Sequence, residues 1–389
     1  MQRSVFTKRN IFLIAFAVVL IVGILVAVIG KVFFVIDSDR KVSVEWKTSI
    51  PEDYVMHSTN SVFVHIPETH ELLQVVIALS NLDEESNSLT YQKGVYYSEV
   101  VEVFKGYQDH PVVKTIDKKL QEESYGKMRN IFMYEFEGES IQHAGIHNTP
   151  YLKDYWEEII PQLEDFARKS GFRKFYKNHS SYYENLIKDY KRHIPVKRIW
   201  NWLEDNIPIK HDSYNVILSP LIKGAHNTYR FRDYAKEYTQ IVMFLSAPNS
   251  FAKGYANEEV VEANLSRMLF TEIDHNYINP LTNRDKNLRK VVRAFSELDK
   301  WNTKKGYRRP VLTFNEYMTW AVFLLYAHDM YSEEDYEKIQ QFTVETMNWR
   351  GFVKFESFAE KLLELYENKK EDEMISDLYS PILRWARRQ

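Results

Sequence analysis

Apolar and polar positions change their rhythm several times along the chain. Ile11 to Gly30 is an unbroken apolar run without a charge. As a helix it would be about 30 Å long, one hydrocarbon thickness of a bilayer. Lys31 interrupts it and Val32 to Ile36 extend it. The pattern predicts a cytoplasmic tail over residues 1–10 and a transmembrane signal anchor over 11–36. Residues 37–60 read as a charged, strand-prone stalk, and Ser61 to Ile66 as an early strand. From Pro67 the period becomes helical: Leu72, Leu73, Val76, Ile77 and Leu79 share a face. Further helices are expected over Tyr97–Phe104, Pro111–Phe132, from Thr149-Pro150 through Phe166, Tyr182–Arg192 and Val196–Asp205.

The texture then shortens. Tyr214–Ile222, Thr228–Phe231 and Thr239–Leu245 are rich in β-branched and aromatic residues, separated by Gly224 or charged turns. They predict a small sheet. Helical periodicity returns at Asn257-Glu258-Glu259-Val260, where an Asn cap precedes two acids suited to the positive end of a helix dipole. Val260, Val261, Leu265, Met268, Leu269 and Ile273 form its stripe, and Asn279-Pro280 is the expected stop. Another helix is expected from Thr313 through Trp320 to Tyr326. The fold class is therefore α+β, mostly helical. It comprises one N-terminal transmembrane helix, a mainly helical region over residues 61–212, and a region over 213–389 with the small sheet and C-terminal helices.

Composition narrows the function classes. The chain has 389 residues and no cysteine, which excludes disulfides, thiolate metal sites and cysteine nucleophiles. The net charge is −3; residues 1–36 contribute +4, leaving −7 for residues 37–389. Such a domain has no basic footprint for nucleic acid. The cations Arg3, Lys8 and Arg9 precede the apolar run, so the positive-inside rule keeps the N-terminus cytoplasmic and exports the rest. A cleaved signal peptide is the competing reading; its apolar core is usually shorter, and Gly-Lys-Val-Phe-Phe is a poor cleavage site.

Candidate chemistry lies in the last turns of the helix that follows the sheet. Phe270-Thr271-Glu272-Ile273-Asp274-His275 parallels H-E-x-x-H, in which imidazoles at i and i+4 reach one zinc and the Glu between polarises its water. Glu272 takes the base position and His275 the second-ligand position. Thr271 replaces the first imidazole. Glu316, within Asn315-Glu316, follows on a later helix, as the third ligand does in one zincin branch. Three arrangements are open. His275 and Glu316 hold a metal with water in the missing place. Glu272 joins His275 as an E-x-x-H ligand pair, with Asp274 nearby. Or the helix holds no metal and supports binding. The plainest alternative makes these residues ordinary surface polarity.

Thr271-Glu272-Ile273-Asp274-His275-Asn276-Tyr277-Ile278-Asn279-Pro280 resembles the H-E-F-S-H-S-F-V-N-P segment of bacterial exported, zincin-like proteins of unknown function. Glu71-Leu72-Leu73 and the Tyr97–Pro111 stretch resemble that family's earlier motifs. The resemblance implies a zincin-like (gluzincin-type) fold, a metallopeptidase-like site with zinc, Glu272 as base, and His275 and Glu316 as ligands. A Tyr or His would stabilise the oxyanion; Tyr326 and His328 are the candidates by helix position. The competing function is an inactive module that binds a peptide or envelope protein along an edge strand near Tyr214–Ile222. His143 and His147 also stand four apart, but Gly145 and Pro150 favour a loop there over a chelating helix.

Overall fold

The computed structural model describes residues 45–80, 82, 89–122, 125–149, 155–224, 226–247, 258–304 and 306–389. The expected membrane span at 11–36, its tail and the start of the stalk lie outside the described residues, as does the Asn257 cap. Among the described residues no helix is long and apolar enough to cross a membrane.

The architecture is mostly helical α+β around a five-stranded sheet. The strands are β1 (Glu45–Lys47), β2 (Ser61–His65), β5 (Ser213–Ser219), β6 (Asn227–Asp233) and β7 (Tyr238–Ser246), in the spatial order β1-β6-β7-β5-β2. β2, β5 and β7 run parallel, while β6 is antiparallel to β7. Every residue of β5 and β7 is buried, which matches their near-continuous apolar sequences: strands covered on both faces do not alternate. The sheet draws strands from both sides of residue 212, because Ser61–His65 pairs in register with Ser213–Ile217. A separate hairpin, β3 (Tyr134–Glu137) with β4 (Ser140–His143), occupies a stretch for which no strand was expected. The described helix covers Pro111–Glu122 and Tyr125–Met128, and a short stretch of 3-10 helix over Arg129–Met133 leads into β3, so the expected α-helix ends before Phe132.

Ahead of the central strands lie α1 (Glu52–Ser58), α2 (Glu68–Ser80), α3 (Val95–Phe104), α4 (Pro111–Glu122) and the single turn α5 (Tyr125–Met128). They are followed by α6 (Ile160–Ser170), α7 (Phe172–Asn178), α8 (Ser180–His193) and α9 (Val196–Asn206). After β7 come α10 (Glu258–Thr282), α11 (Asp285–Ala294), α12 (Pro310–Met330), α13 (Glu333–Trp349), α14 (Phe355–Glu367) and α15 (Tyr379–Ala386).

Two helices position the site. α12 is buried on nearly all sides from Val311 to Ala327, so its sequence shows no polar stripe and it forms the centre of the C-terminal bundle. α10 packs along it and also against β6 and β7. Phe270 of α10 meets Phe323 and Tyr326 of α12 with ring centroids 5.5 and 5.2 Å apart. Each such ring, fully buried, contributes about 2–3 kcal/mol by area. α10 also runs past its expected stop: Pro280 lies inside it, and the helix ends at Thr282. A proline near a helix end removes one N–H from the ladder without breaking the preceding turns.

Candidate functional site

The cleft lies between α10, α12 and the strand β6, and encloses about 450 Å³. Two helix faces and one strand segment build it. Arg267, Thr271, Glu272, His275, Asn276 and Asn279 come from one face of α10. Leu312, Asn315, Glu316 and Trp320 come from the matching face of α12, one or two per turn. The third wall is His226 to Arg230, at and before the start of β6. Asn276 Nδ2 donates to Thr228 Oγ1 at 2.7 Å and fixes α10 to that strand. β1 pairs with only Arg230, Phe231 and Arg232 of β6, so among the described residues the outer edge of Asn227–Tyr229 carries no strand partner.

The structure therefore brings Thr271, Glu272, His275 and Glu316 to one cleft. His275 Nε2 lies 3.5 Å from Glu316 Oε1. Glu316 Oε2 accepts from Arg350 Nη2 at 2.7 Å. Arg350 follows α13, and its guanidinium also donates to the Tyr307 hydroxyl at 3.0 Å. Tyr307 holds a left-handed backbone conformation (φ 57°), a strained state for a bulky residue that places its ring under Arg350, 5.1 Å from the guanidinium carbon. The Thr271 hydroxyl turns back along its own helix and donates to the Met268 carbonyl at 3.1 Å.

These contacts set the charges. Burial alone would raise the Glu316 carboxyl, but Arg350 and His275 outweigh it and hold it down at about 2. Burial works against the His275 imidazolium, and the Glu316 carboxylate overcomes it, lifting the imidazole to about 9. Glu272 moves the other way: burial raises its carboxyl, only partly offset by His275. His226, half-buried and 2.9 Å from the Ser246 hydroxyl, is pushed down to about 4 by desolvation and is neutral at pH 7. Among the described residues, no three His, Asp or Glu side chains are arranged to hold a metal ion.

The accessory residues lie elsewhere. Asp274 points away from the cleft into the core, fully buried, with neither carboxylate oxygen hydrogen-bonded. One residue of offset on a helix turns a side chain by about 100°, and from His275 back to Asp274 that turn leads off the cleft-facing side of α10. The Tyr326 hydroxyl accepts from Arg198 Nε at 2.9 Å on the far side of α12. His328 is partly exposed at the end of α12, between Asp329 and Glu367. Neither reaches the cleft, so the oxyanion roles assigned by helix position fall away. β5, which contains most of Tyr214–Ile222, lies between β7 and β2 and is no edge strand; among the described strands the sheet's edges are β1 and β2, and the strand that lines the cleft is β6. His143 and His147 do not form a helical pair: His143 Nε2 lies 3.1 Å from the His147 carbonyl oxygen, and His147 Nε2 lies 2.8 Å from Gln240 Oε1.

Sequence reasoning missed Arg267, Arg350, Trp320, Tyr307 and Asn315. Arg267 was accessible, four residues before Thr271 and thus on its face of α10. Arg350 carries no local signal; it meets Glu316 across 34 residues of chain, through the turn after α13.

The chain belongs to the DUF4932 family, a domain of unknown function, whose model matches residues 153–384. That span contains α10, α12, β6 and all the residues lining the cleft. No curated protein and no solved structure matches the chain.

Proposed function

We propose that this protein is a zincin-like binding module without hydrolytic chemistry, tethered outside the membrane by residues 11–36 and receiving a peptide segment of an envelope protein in the cleft. The observation that carries this reading is the Glu316 carboxylate, occupied on one oxygen by Arg350 at 2.7 Å and on the other by His275 at 3.5 Å.

Zinc does not suit this donor set. A zinc site takes three protein ligands of imidazole, thiolate or carboxylate type. At the first position Thr271 offers a neutral hydroxyl already turned to its own helix. At the third, a guanidinium has taken the carboxylate and supplies the positive charge a cation would bring. Arg350 would repel a dication at that point.

The peptide reading is supported by Asn227–Tyr229, which line the cleft and, among the described residues, carry no strand partner on the side of β6 away from β7, leaving backbone groups for an extended chain. Burial of an incoming strand against Trp320, Tyr307 and Met268 supplies apolar area. The test is incubation of the purified chain with a degenerate synthetic octapeptide pool, read by mass spectrometry. The reading expects peptides retained at intact mass, by wild type and Glu272→Gln alike. Cleavage products that vanish in Glu272→Gln, or retention of no peptide, would contradict it.

A further inference from the structure

Arg129 is fully buried, at the start of the 3-10 stretch that leads into β3. Strand alternation fixes its place in the fold. Thr228 of β6 meets Asn276 of α10 and is paired with Met243 of β7. The next residue of β7, Phe244, therefore projects from the opposite face of the sheet. There the Arg129 guanidinium carbon lies 5.6 Å from the Phe244 ring centroid and 4.1 Å from that of Tyr125. The two rings hold the cation by its faces and supply no anion. Nη1 donates to the Phe244 carbonyl across a long 3.5 Å. Nε and Nη2 are buried, and among the described residues neither has a hydrogen-bond acceptor. No carboxylate of the described residues forms an ion pair with Arg129. The N–H bonds of Nε and Nη2 point the same way along one edge of the guanidinium, the fork that receives an anion by two hydrogen bonds. His70 adds a third donor. The Tyr125 hydroxyl donates to Gln74 Oε1 at 2.9 Å, so the amide turns its Nε2 toward His70 Nε2, 3.4 Å away. That ring nitrogen is then the acceptor, and Nδ1 carries the proton. Nδ1 is buried without a partner, and its ring lies against the same Phe244, 5.5 Å between centroids. Burial, and then the charge of Arg129, push this imidazole well below its usual range and keep it neutral.

A guanidinium cannot shed its proton, and a charge taken out of water without a counter-charge is strongly destabilising. We propose that a compact monovalent anion of the halide class, chloride under ordinary conditions, is bound on the Nε–Nη2 edge of Arg129, with His70 Nδ1 as a further donor. The open groups of Arg129 and His70 are all donors, so the ligand must accept without donating. Enclosure sets its size: Arg129, His70 and Gln74 are at most 1% exposed, and Arg129 is no part of the cleft wall. One positive charge sets its valence, since His70 is neutral. The site lies behind the sheet and is independent of what the cleft receives. Its anion ties Arg129–Met133 to α2 across Phe244.

The test is urea denaturation of the full chain in detergent at pH 7, in mixtures of sodium chloride and sodium gluconate. Total salt is held at about 0.3 M, so that general screening is constant. Gluconate is too bulky for an enclosed site. The inference expects the folded-to-unfolded ratio to rise about tenfold for each tenfold rise in chloride above its dissociation constant. Bromide acts in place of chloride. Arg129→Met, which keeps the reach and removes the charge, loses the chloride dependence and in gluconate is at least as stable as wild type. In crystals of the wild-type chain grown in bromide, anomalous diffraction places the ion against Nε and Nη2 of Arg129. Equal wild-type stability in chloride and gluconate overturns the proposal. So does an undiminished chloride dependence in Arg129→Met, or a water or protein carboxylate on that edge of Arg129 where bromide is expected. The wild-type salt series and the bromide position need no variant, so they decide even if Arg129→Met does not fold.

Discussion

Arg350 and Glu316 meet at 2.7 Å inside a cleft where side-chain exposure is 18% for the arginine and 8% for the glutamate. Few contacts in the molecule have larger consequences, because they decide what the neighbouring His275 and Thr271 can do. A carboxylate on a buried helix needs a positive partner, and here a guanidinium from the turn after α13 provides it.

Removing that partner should be costly. Arg350→Met leaves Glu316 buried with only His275 beside it, and we expect a loss of about 2–4 kcal/mol, measured by urea denaturation. The double variant Arg350→Met, Glu316→Leu should regain much of that loss, since it removes both charges. A single variant as stable as wild type would show that the pair is not formed.

The same triad gives a pH signature. His275 is raised to about 9 from an ordinary 6.5, so its contribution is fully present below pH 6.5 and is lost as pH rises through 9. Glu316 is lowered to about 2 from 4.5, so its contribution is present above pH 4.5 and is lost as pH falls through 2. Stability measured from pH 6 to 10 should fall in wild type and fall less in His275→Gln. Identical slopes would remove the His275–Glu316 interaction from the account.

Asp274 should behave in the opposite sense to Glu316. Its carboxyl is buried without a hydrogen-bond partner, and desolvation raises it well above its ordinary value of 3.8. Burial therefore favours its protonated form in the folded state, and it costs stability increasingly as pH rises above 3.8. Asp274→Leu should raise stability at pH 7 by roughly 1–3 kcal/mol, read as a higher urea midpoint. A destabilised variant would point to a partner that the structure does not reveal.

Much of the fold could be read from the chain. The short β-branched stretches gave β5, β6 and β7, and the stripe Val260 to Ile273 gave α10. The hairpin at Tyr134–His143 was missed because its strands span four residues each, too short for alternation to register against helical neighbours. For the site, helix spacing sufficed to place Thr271, Glu272 and His275 together, and Glu316 joined them through the packing of α10 on α12. What spacing could not supply is the cation. Arg350 and Trp320 become neighbours only when α13 folds back, and that decides whether Glu316 is free for a metal. The accessory positions differ for a geometric reason: Tyr326 is ten residues beyond Glu316, about 2.8 turns, so its side chain is rotated roughly 80° away and meets Arg198 instead.

Restoring the missing imidazole should not be enough. Thr271→His supplies a ligand, but Arg350 still holds Glu316. We expect cobalt, added as a spectroscopic substitute for zinc, to give a visible tetrahedral band with Thr271→His, Arg350→Gln and a far weaker one with Thr271→His alone. Equal bands would show that Arg350 is no obstacle to a metal.

The central claim is that a guanidinium stands where a metal's charge would be. Its most direct test is the zinc content of the purified wild-type chain, by mass spectrometry of the elements, after exposure to excess zinc and gel filtration at pH 7. The account predicts zinc at background, on the order of a tenth of an equivalent or less. One zinc per chain, lost on His275→Ala or Glu316→Ala, would contradict it.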